Sequence, residues 1–265
     1  ALSGILFTDL MGNRGVPWEL APLIAVLLGI LLGVIHGFLI TRLKIQPFVV
    51  TLCGLLIYRG IGRWYMNDAT IGFGYGDDFE MLAWLASGRS FGLPHTFIML
   101  IVVALVMGVV LHRSVFGRYL FAVGKNEEAA RFSGIDSAMI TASAYVICGA
   151  LTGLSAVCIV FYTNSISPAS HGNFYELYAI AAAVLGGCSL RGGEGSILGI
   201  VLGTVLLQVL QNLVNLLGIP SSLNFAVMGT VIMLGVLADR ELERRRRIRL
   251  AQRAQAPHRE AAATA

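Results

Sequence analysis

Long runs of apolar residues dominate the chain and are separated by short polar stretches. A bilayer core of about 30 Å needs roughly 20 apolar residues in a helix that rises about 1.5 Å per residue. Runs of this kind predict an all-α fold, a polytopic bundle of transmembrane helices. The seven hydrophobic segments are Pro22–Thr41, Ile45–Gly62, Phe97–His112, Ala138–Tyr162, Leu177–Leu190, Gly195–Ile219 and Leu223–Ala238.

Two stretches of the chain, one of these segments and the N-terminal residues, predict more than a simple membrane span. The segment Ile45–Gly62 begins with Gln46-Pro47 and contains Arg59, which favours a broken or re-entrant helix because proline removes a backbone donor. The residues Ala1-Leu2-Ser3 resemble the end of an earlier apolar segment. We therefore expect an N-terminally incomplete chain.

Composition excludes a soluble enzyme, a disordered chain and a DNA-binding domain. Hydrophobic residues make up 56% and charged residues 13%, against about 25% charged in ordinary globular chains. The net charge of +4 does not indicate a nucleic-acid partner, because eight of the 19 Lys and Arg residues lie after position 239. That basic tail, residues 240–265, is either disordered or bound to anionic membrane lipid at about 1 kcal/mol per basic residue.

The basic residues also predict an orientation. If the seven segments cross the membrane in alternation, 15 Lys and Arg residues lie on one side and 4 on the other. The positive-inside rule then places the 113–137 loop and the tail in the cytoplasm, and the 63–96 loop outside. The prediction is one transmembrane domain, residues 1–239, followed by the cytoplasmic tail.

Glycines in the segments predict close helix packing. Small residues at every fourth position form a smooth face on which a second helix can lie, and we favour this interpretation over the lining of a pathway. The repeats are Gly29, Gly33 and Gly37, and Gly195, Gly199 and Gly203.

Amide side chains form one polar stripe in the sixth segment. Gln208, Gln211, Asn212 and Asn215 are spaced i, i+3, i+4 and i+7, so they share one helix face. They could bind the hydroxyls of a neutral solute or bond neighbouring helices, and both interpretations stay open. No charged residue lies near the middle of a strong segment, which argues against a proton-driven carrier. His36 fits a packing role better than a ligand role.

The polar loop after the third segment predicts one short helix that is capped at both ends. Asn126 suits the N-cap, and Glu127 and Glu128 follow in the first turn, where the helix dipole favours negative charge. Arg131 lies in the last turn, and Gly134 can take the left-handed conformation that ends a helix. Such a helix fits a groove in a partner protein, although a solvated loop helix is the alternative.

Catalytic, nucleotide and metal sites are not expected in this chain. Six residues separate Gly117 from Gly124, where a phosphate-binding loop needs four, and Asn126 stands where Ser or Thr is required. No Cys/His set has the spacing of a zinc site, and no Ser/His/Asp set or carboxylate pair suggests an enzyme.

The loop, with Glu127–Ala130 at its centre and Ser133–Ile135 at its end, resembles the coupling loop of bacterial ABC importer permeases. The ribose, xylose and arabinose permeases resemble it most. Three further stretches between residues 20 and 240 are similar to the same family. They are Gln46–Leu52 with Arg59-Gly60, Tyr175–Ala182 with Gly186-Gly187 and Gly192-Gly193, and Asn212 with Asn215–Ile219 and Asp239.

The resemblance implies a subunit of the inner membrane that imports a ribose-like pentose or a hexose. Its expected partners are an ABC ATPase that binds ATP and Mg²⁺, a periplasmic sugar-binding protein, and a second permease chain in a homo- or heterodimer. Alternatives are a stand-alone facilitator or secondary carrier, and an ABC permease for autoinducer-2 or another non-sugar solute.

The resemblance also implies two sets of site residues. The ATPase-coupling set is Gly117, Arg118, Gly124, Asn126, Glu127, Glu128, Ala129, Ala130, Arg131, Ser133 and Gly134. The candidate substrate pathway is Phe48, Thr51, Tyr175, Glu176, Gln208, Gln211, Asn212 and Asn215.

Overall fold

A computed structural model describes residues 1–12, 16–17, 19–72, 84, 88–90 and 92–218, with single positions between 223 and 237. The chain divides into two compact units, Ala1–Tyr175 and Glu176–Ala265. Helices form almost all of the described regular structure, which confirms the all-α class. They are α1 Leu2–Gly12, α2 Leu20–Thr41, α3 Pro47–Met66, α4 His95–His112, α5 Val115–Lys125, α6 Glu127–Phe132, α7 Ser137–Thr163, α8 Tyr175–Leu185 and α9 Ile197–Leu216.

Four described helices are long and apolar enough to cross a membrane. These are α2, α4, α7 and α9, with 22, 18, 27 and 20 residues. At about 1.5 Å per residue they extend roughly 27 to 40 Å. They confirm four of the predicted segments, with bounds that shift by no more than three residues.

The predicted break inside Ile45–Gly62 is wrong, because α3 is one uninterrupted helix of 20 residues. Pro47 is its first residue, where the proline ring costs no helical hydrogen bond. The irregular backbone lies just before the helix, in the 42–46 turn, where Lys44 has a φ of 55°.

The fifth and seventh predicted segments do not appear as long helices in the described structure. The segment Leu177–Leu190 forms α8, whose 11 residues extend only about 17 Å. The 240–265 tail lies outside the described residues, and the segment Leu223–Ala238 is described only at scattered positions. The short helix α1 was not assigned from the sequence, and its Ile5, Phe7 and Met11 are buried.

The core of the first unit is the close pair of α2 and α7. A Cβ atom on Gly149 would overlap the carbonyl oxygen of Gly29, and a Cβ on Gly153 would lie 2.7 Å from Cα of Val26. The two backbones therefore touch without side chains between them, which confirms the packing role predicted for Gly29 and Gly33. Beside this pair, Phe7 of α1 meets Phe161 of α7 edge to face at 5.5 Å.

The second unit repeats the same kind of packing between α8 and α9. A Cβ on Gly203 would overlap the carbonyl oxygen of Ala182 and lie 2.9 Å from the Gly186 nitrogen. Gly199 faces Gly186 equally closely. The packing prediction is therefore confirmed for Gly199 and Gly203, whereas Gly195 precedes α9 and lies against the Cys188 sulfur.

The connections of the first unit lie at two opposite ends, as the predicted alternation requires. At one end a single cavity is lined by both Lys44 of the 42–46 turn and Arg131 of the 113–137 loop. At the other end, β1 (Ile71–Gly72) pairs antiparallel with β4 (Ser165–Ile166). A short hairpin joins β2 (Arg89–Ser90) to β3 (Leu93–Pro94).

Candidate functional site

The 113–137 loop holds two helices, not the single short helix predicted from the sequence. The additional helix is α5, which begins after Ser114, whose Oγ accepts a hydrogen bond from the Gly117 nitrogen at 3.1 Å. A Cβ on Gly117 would lie 2.7 Å from the carbonyl oxygen of Val110. Gly117 is thus required where α5 turns tightly against the end of α4.

The short helix α6 has the two caps that the sequence predicts. The side-chain oxygen of Asn126 accepts a hydrogen bond from the Ala129 nitrogen at 3.0 Å. At the other end Gly134 has a φ of +83°, and the Ile135 nitrogen donates to the Ala130 carbonyl at 3.0 Å. Gly124 lies inside α5 and not at a turn. Gly134, by contrast, provides the left-handed residue that ends α6.

Two contacts fix α6 to the body of the first unit. Ala130 is buried, so the small side chain lets the helix lie close to the residues beneath it. The buried Ser137 at the start of α7 donates a hydrogen bond to the Glu127 carboxylate at 3.0 Å. Glu127 is therefore tied to its own chain, whereas Glu128 has no such hydrogen bond among the described residues.

The outward face of α6 combines charge with one large apolar side chain. Glu128, Arg131 and the C-cap Ser133 of α6 are exposed, and Arg118 of the neighbouring α5 is exposed as well. Phe132 is 91% exposed, which sequence analysis missed. The available signal was an aromatic residue in the last turn of a helix that otherwise carries charged and alanine side chains. An exposed aromatic residue among charges is typical of a protein-binding surface.

A cavity of about 460 Å³ lies beside α6. Along this cavity, α6 and the residues that follow it lie near the end of α2 and the turn that leads into α3. Its lining is Thr41, Lys44, Glu127, Arg131, Gly134, Ile135, Asp136, Ser137 and Ala138.

Replacement of Asn126 with Ala is expected to loosen α6 without unfolding the chain. Loss of an N-cap costs about 1 kcal/mol, which corresponds to roughly a fivefold change in a local opening equilibrium. Hydrogen–deuterium exchange of residues 127–133 should therefore accelerate by that factor. Asn126→Asp, which keeps a capping oxygen, is the control, and equal exchange in all three proteins would contradict the capping role.

The predicted pathway residues lie on three helices, α3, α8 and α9. Phe48 and Thr51 are exposed in the first turns of α3, and the Thr51 hydroxyl donates to the Pro47 carbonyl at 3.0 Å. Tyr175 and Glu176 are exposed in the first turn of α8.

The amide stripe lies on α9 of the second unit, away from the face that packs on α8. Gly203, Leu207 and Val214 are the buried positions of this helix. Gln208, Asn212 and Asn215 are exposed and Gln211 is half-buried. In the described part of the chain these four amides make no hydrogen bond, so they stay available to a solute or to a helix outside this arrangement.

The far end of α3 carries an ion pair. Arg63 donates to both carboxylate oxygens of Asp68, at 2.5 and 3.0 Å. These hydrogen bonds hold the pKa of the Asp68 carboxyl below its ordinary value. The pair fixes the turn at which α3 ends, where Asn67 has a φ of 49°. Among the described residues, no three His, Cys, Asp or Glu side chains lie close enough to hold a metal ion.

The long apolar helices and the docked polar loop define a multi-pass helical membrane protein. Residues 1–237 match the family described as "Branched-chain amino acid transport system / permease component". The chain belongs to this family and is a permease subunit of a transport system, not an enzyme.

Individual relatives agree with this assignment. The ribose import permease protein RbsC of Escherichia coli K12 is 36% identical over 90% of this chain and 74% of its own length. RbsC of Bacillus subtilis 168 is 38% identical over 83% and 69%. The D-allose transport system permease protein AlsC of Escherichia coli K12 is 32% identical over 91% and 72%. No solved structure matches the chain.

Proposed function

We propose that this chain is the membrane subunit of an ABC importer that moves a monosaccharide, a ribose-like pentose or a hexose, across the inner membrane. ATP would be hydrolysed on a separate subunit. The observation that carries the proposal is α6, a helix capped at both ends that exposes Phe132 beside charged residues. The relatives named for ribose and D-allose transport support the solute class.

The partners follow from the same proposal. Two copies of an ABC ATPase would bind α6 in the cytoplasm, and a periplasmic sugar-binding protein would dock at the opposite end of the bundle. A second permease chain, identical or different, would complete the pathway, for which Phe48, Thr51, Tyr175, Glu176 and the four amides of α9 are the candidates. The C-terminal tail would lie in the cytoplasm beside the lipid surface.

Uptake into proteoliposomes tests the proposal. The full-length permease is reconstituted with its ATPase and binding protein, and radiolabelled ribose, D-allose and L-arabinose are supplied outside. ATP inside the vesicles should drive accumulation of one sugar, and a non-hydrolysable ATP analogue should not. Uptake that follows a sugar or proton gradient without ATP would establish a carrier, and accumulation of autoinducer-2 alone would reject the sugar.

Reversal of charge at Glu128 is expected to weaken the attachment of the ATPase. The side chain is exposed on α6 and makes no hydrogen bond among the described residues, so Glu128→Arg changes the proposed docking surface without removing a contact of the described fold. We expect about a tenfold lower uptake and less co-purified ATPase, in line with a loss of about 1.4 kcal/mol.

Glu194→Arg is the matched control for that charge reversal. Glu194 is also an exposed glutamate, in the 191–194 loop that the predicted orientation places in the cytoplasm. Full uptake by Glu128→Arg, or an equal defect in both variants, would contradict a specific role for α6.

A further inference from the structure

Helix α3 is attached to the first unit along a narrow strip. Val50, Gly54 and Gly62 are the buried positions among its 20 residues in the described structure. They are spaced four and eight residues apart, so they lie on one face of the helix. The rest of α3 is exposed or half-buried. Its position therefore depends on a few contacts, and one of them is unusually specific.

That contact is the imidazole of His36 from α2, which lies directly against Gly54. A Cβ on Gly54 would be 2.6 Å from Nε2 and 3.0 Å from Cε1 of His36. The glycine thus leaves a notch that the ring enters. Any side chain at position 54 would meet a ring that is itself held in place.

Three neighbours hold the His36 ring. Its Nδ1 lies 2.8 Å from the Leu32 carbonyl oxygen, so this nitrogen carries the proton and donates it. The Tyr58 ring of α3 meets the imidazole edge to face, with centroids 5.6 Å apart. The Tyr145 ring of α7 lies nearly parallel to it at 6.5 Å. The ring therefore joins α3 to the α2–α7 pair and confirms the packing role expected for His36.

The position of the His36–Gly54 contact along α3 points to a role beyond packing. The cavity beside α6 is also lined by Thr41 and Lys44, which belong to the connection that leads directly into α3. Lys44 thus lies on the same cavity as Glu127 and Arg131 of α6, three positions before α3 begins, and the first turns of α3 carry Phe48 and Thr51. The next fixed point along the helix is Gly54, one turn beyond Thr51.

We propose that His36 is a positioning residue for transport. Its ring is the fixed contact about which α3 rotates at Gly54 when the 113–137 loop moves. The inference rests on the proposed function, because it assigns the motion to the helix that carries two pathway candidates. The predicted signature is a loss of turnover without loss of binding. Movement of α3 would be impaired, whereas α6 and its partner surface would be unchanged.

Paired substitutions at positions 36 and 54 test whether the His36 ring and the space left by Gly54 act together. In the reconstituted transporter, Gly54→Ala should lower the maximal uptake rate about tenfold, with the KM for sugar-loaded binding protein unchanged. His36→Ala, which removes the ring from the space at Gly54, should lower the rate to a similar extent. Because both substitutions act on one contact, the double variant should be no slower than either single variant. Gly60→Ala is the matched control on the same helix, since no described atom lies within 4 Å of a Cβ there.

A second readout measures the position of α3 without transport. Spin labels at the exposed Leu31 and Leu56, in a protein whose native cysteines are replaced by alanine, report the α2–α3 distance by pulsed electron resonance. Gly54→Ala should shift or broaden the distance distribution, and the double variant should broaden it no further than His36→Ala does alone. His36→Asn, which keeps a donor for the Leu32 carbonyl but loses most of the ring, should broaden it as well.

Uptake and the α2–α3 distance together separate the role of His36 from the proposed function. ATP-driven uptake by wild type, with a defect in the double variant that is the sum of the two single defects, would overturn the role of His36 and leave the proposed function intact. Distance changes in the variants of a protein without ATP-driven uptake would overturn the proposed function and the transport role, and leave only the packing contact.

Discussion

Gly149→Val is expected to abolish the folded state of the protein. A Cβ at this position would overlap the Gly29 carbonyl oxygen and lie 3.0 Å from the Gly29 carbonyl carbon and 3.2 Å from Cα of Gly33. Every one of these atoms belongs to a helix backbone, so no flexible side chain can move aside. Valine is branched at Cβ and adds two more methyl groups at the same place.

The expected size of this effect follows from the geometry. Overpacking that side chains can absorb costs about 1–3 kcal/mol, and separation of two backbones along 22- and 27-residue helices costs more. Folded domains are stable by only about 5–15 kcal/mol. The variant should therefore elute as aggregate in size-exclusion chromatography of detergent extracts, whereas Gly149→Ala should fold with a lower melting temperature.

Gly108→Val is the control for this prediction. Gly108 lies in α4, another apolar helix, and no described atom is within 4 Å of a Cβ built there. This variant should elute and melt as wild type does. Comparable damage in both variants would mean that valine disturbs any helix of this protein, and close packing of α2 on α7 would then not explain the result.

The sequence predicted which faces of the helices pack, but not which helices meet. Repetition of glycine at every fourth position is a local property, so the faces of α2 and α9 could be found from spacing. Their partners could not. Gly29 meets Gly149, 120 positions along the chain, and a distance in sequence of this size leaves no trace in periodicity.

The 113–137 loop likewise has features that the sequence predicted and features that it did not. Both caps of α6 were predicted, because Asn126 and Gly134 act on backbone groups within a few residues. The helix α5 was missed, because its N-cap Ser114 follows so closely on α4 that the two helices resemble a span and its loop. The hydrogen bond from Ser137 to Glu127 could be found only in the tertiary structure. Because this bond ties Glu127 to its own chain, Glu128 is the more informative residue to change.

The pathway residues stay a prediction for a physical reason. Polar side chains at helical spacing show a shared face, as for Gln208 and Asn215, but not what covers that face. The structure places this face away from the packed side of α9. The same pattern would result from a lining of the pathway and from a contact with a second chain, so only transport by variants such as Asn212→Ala can separate them.

Phe132→Ala is expected to reduce the affinity of the permease for its ATPase about 30- to 100-fold. Buried aromatic anchors contribute about 2 kcal/mol or more to interfaces of this kind, and 1.4 kcal/mol corresponds to a factor of ten. Phe132 is 91% exposed, so its side chain packs on almost nothing among the described residues of its unit. Its removal should therefore leave expression and melting temperature unchanged. The affinity can be measured by titration of the purified ATPase onto permease in nanodiscs.

Two further variants make the result specific to the end of α6. Phe132→Leu keeps an apolar side chain of similar reach and should lose less than fivefold. Tyr162→Ala removes an aromatic residue that is 80% exposed at the end of α7, on the opposite side of the bundle, and should leave the affinity unchanged. If Phe132→Ala binds as tightly as wild type, then the exposed ring is not the anchor, and the charged face formed by Glu128 and Arg131 must provide the binding energy instead.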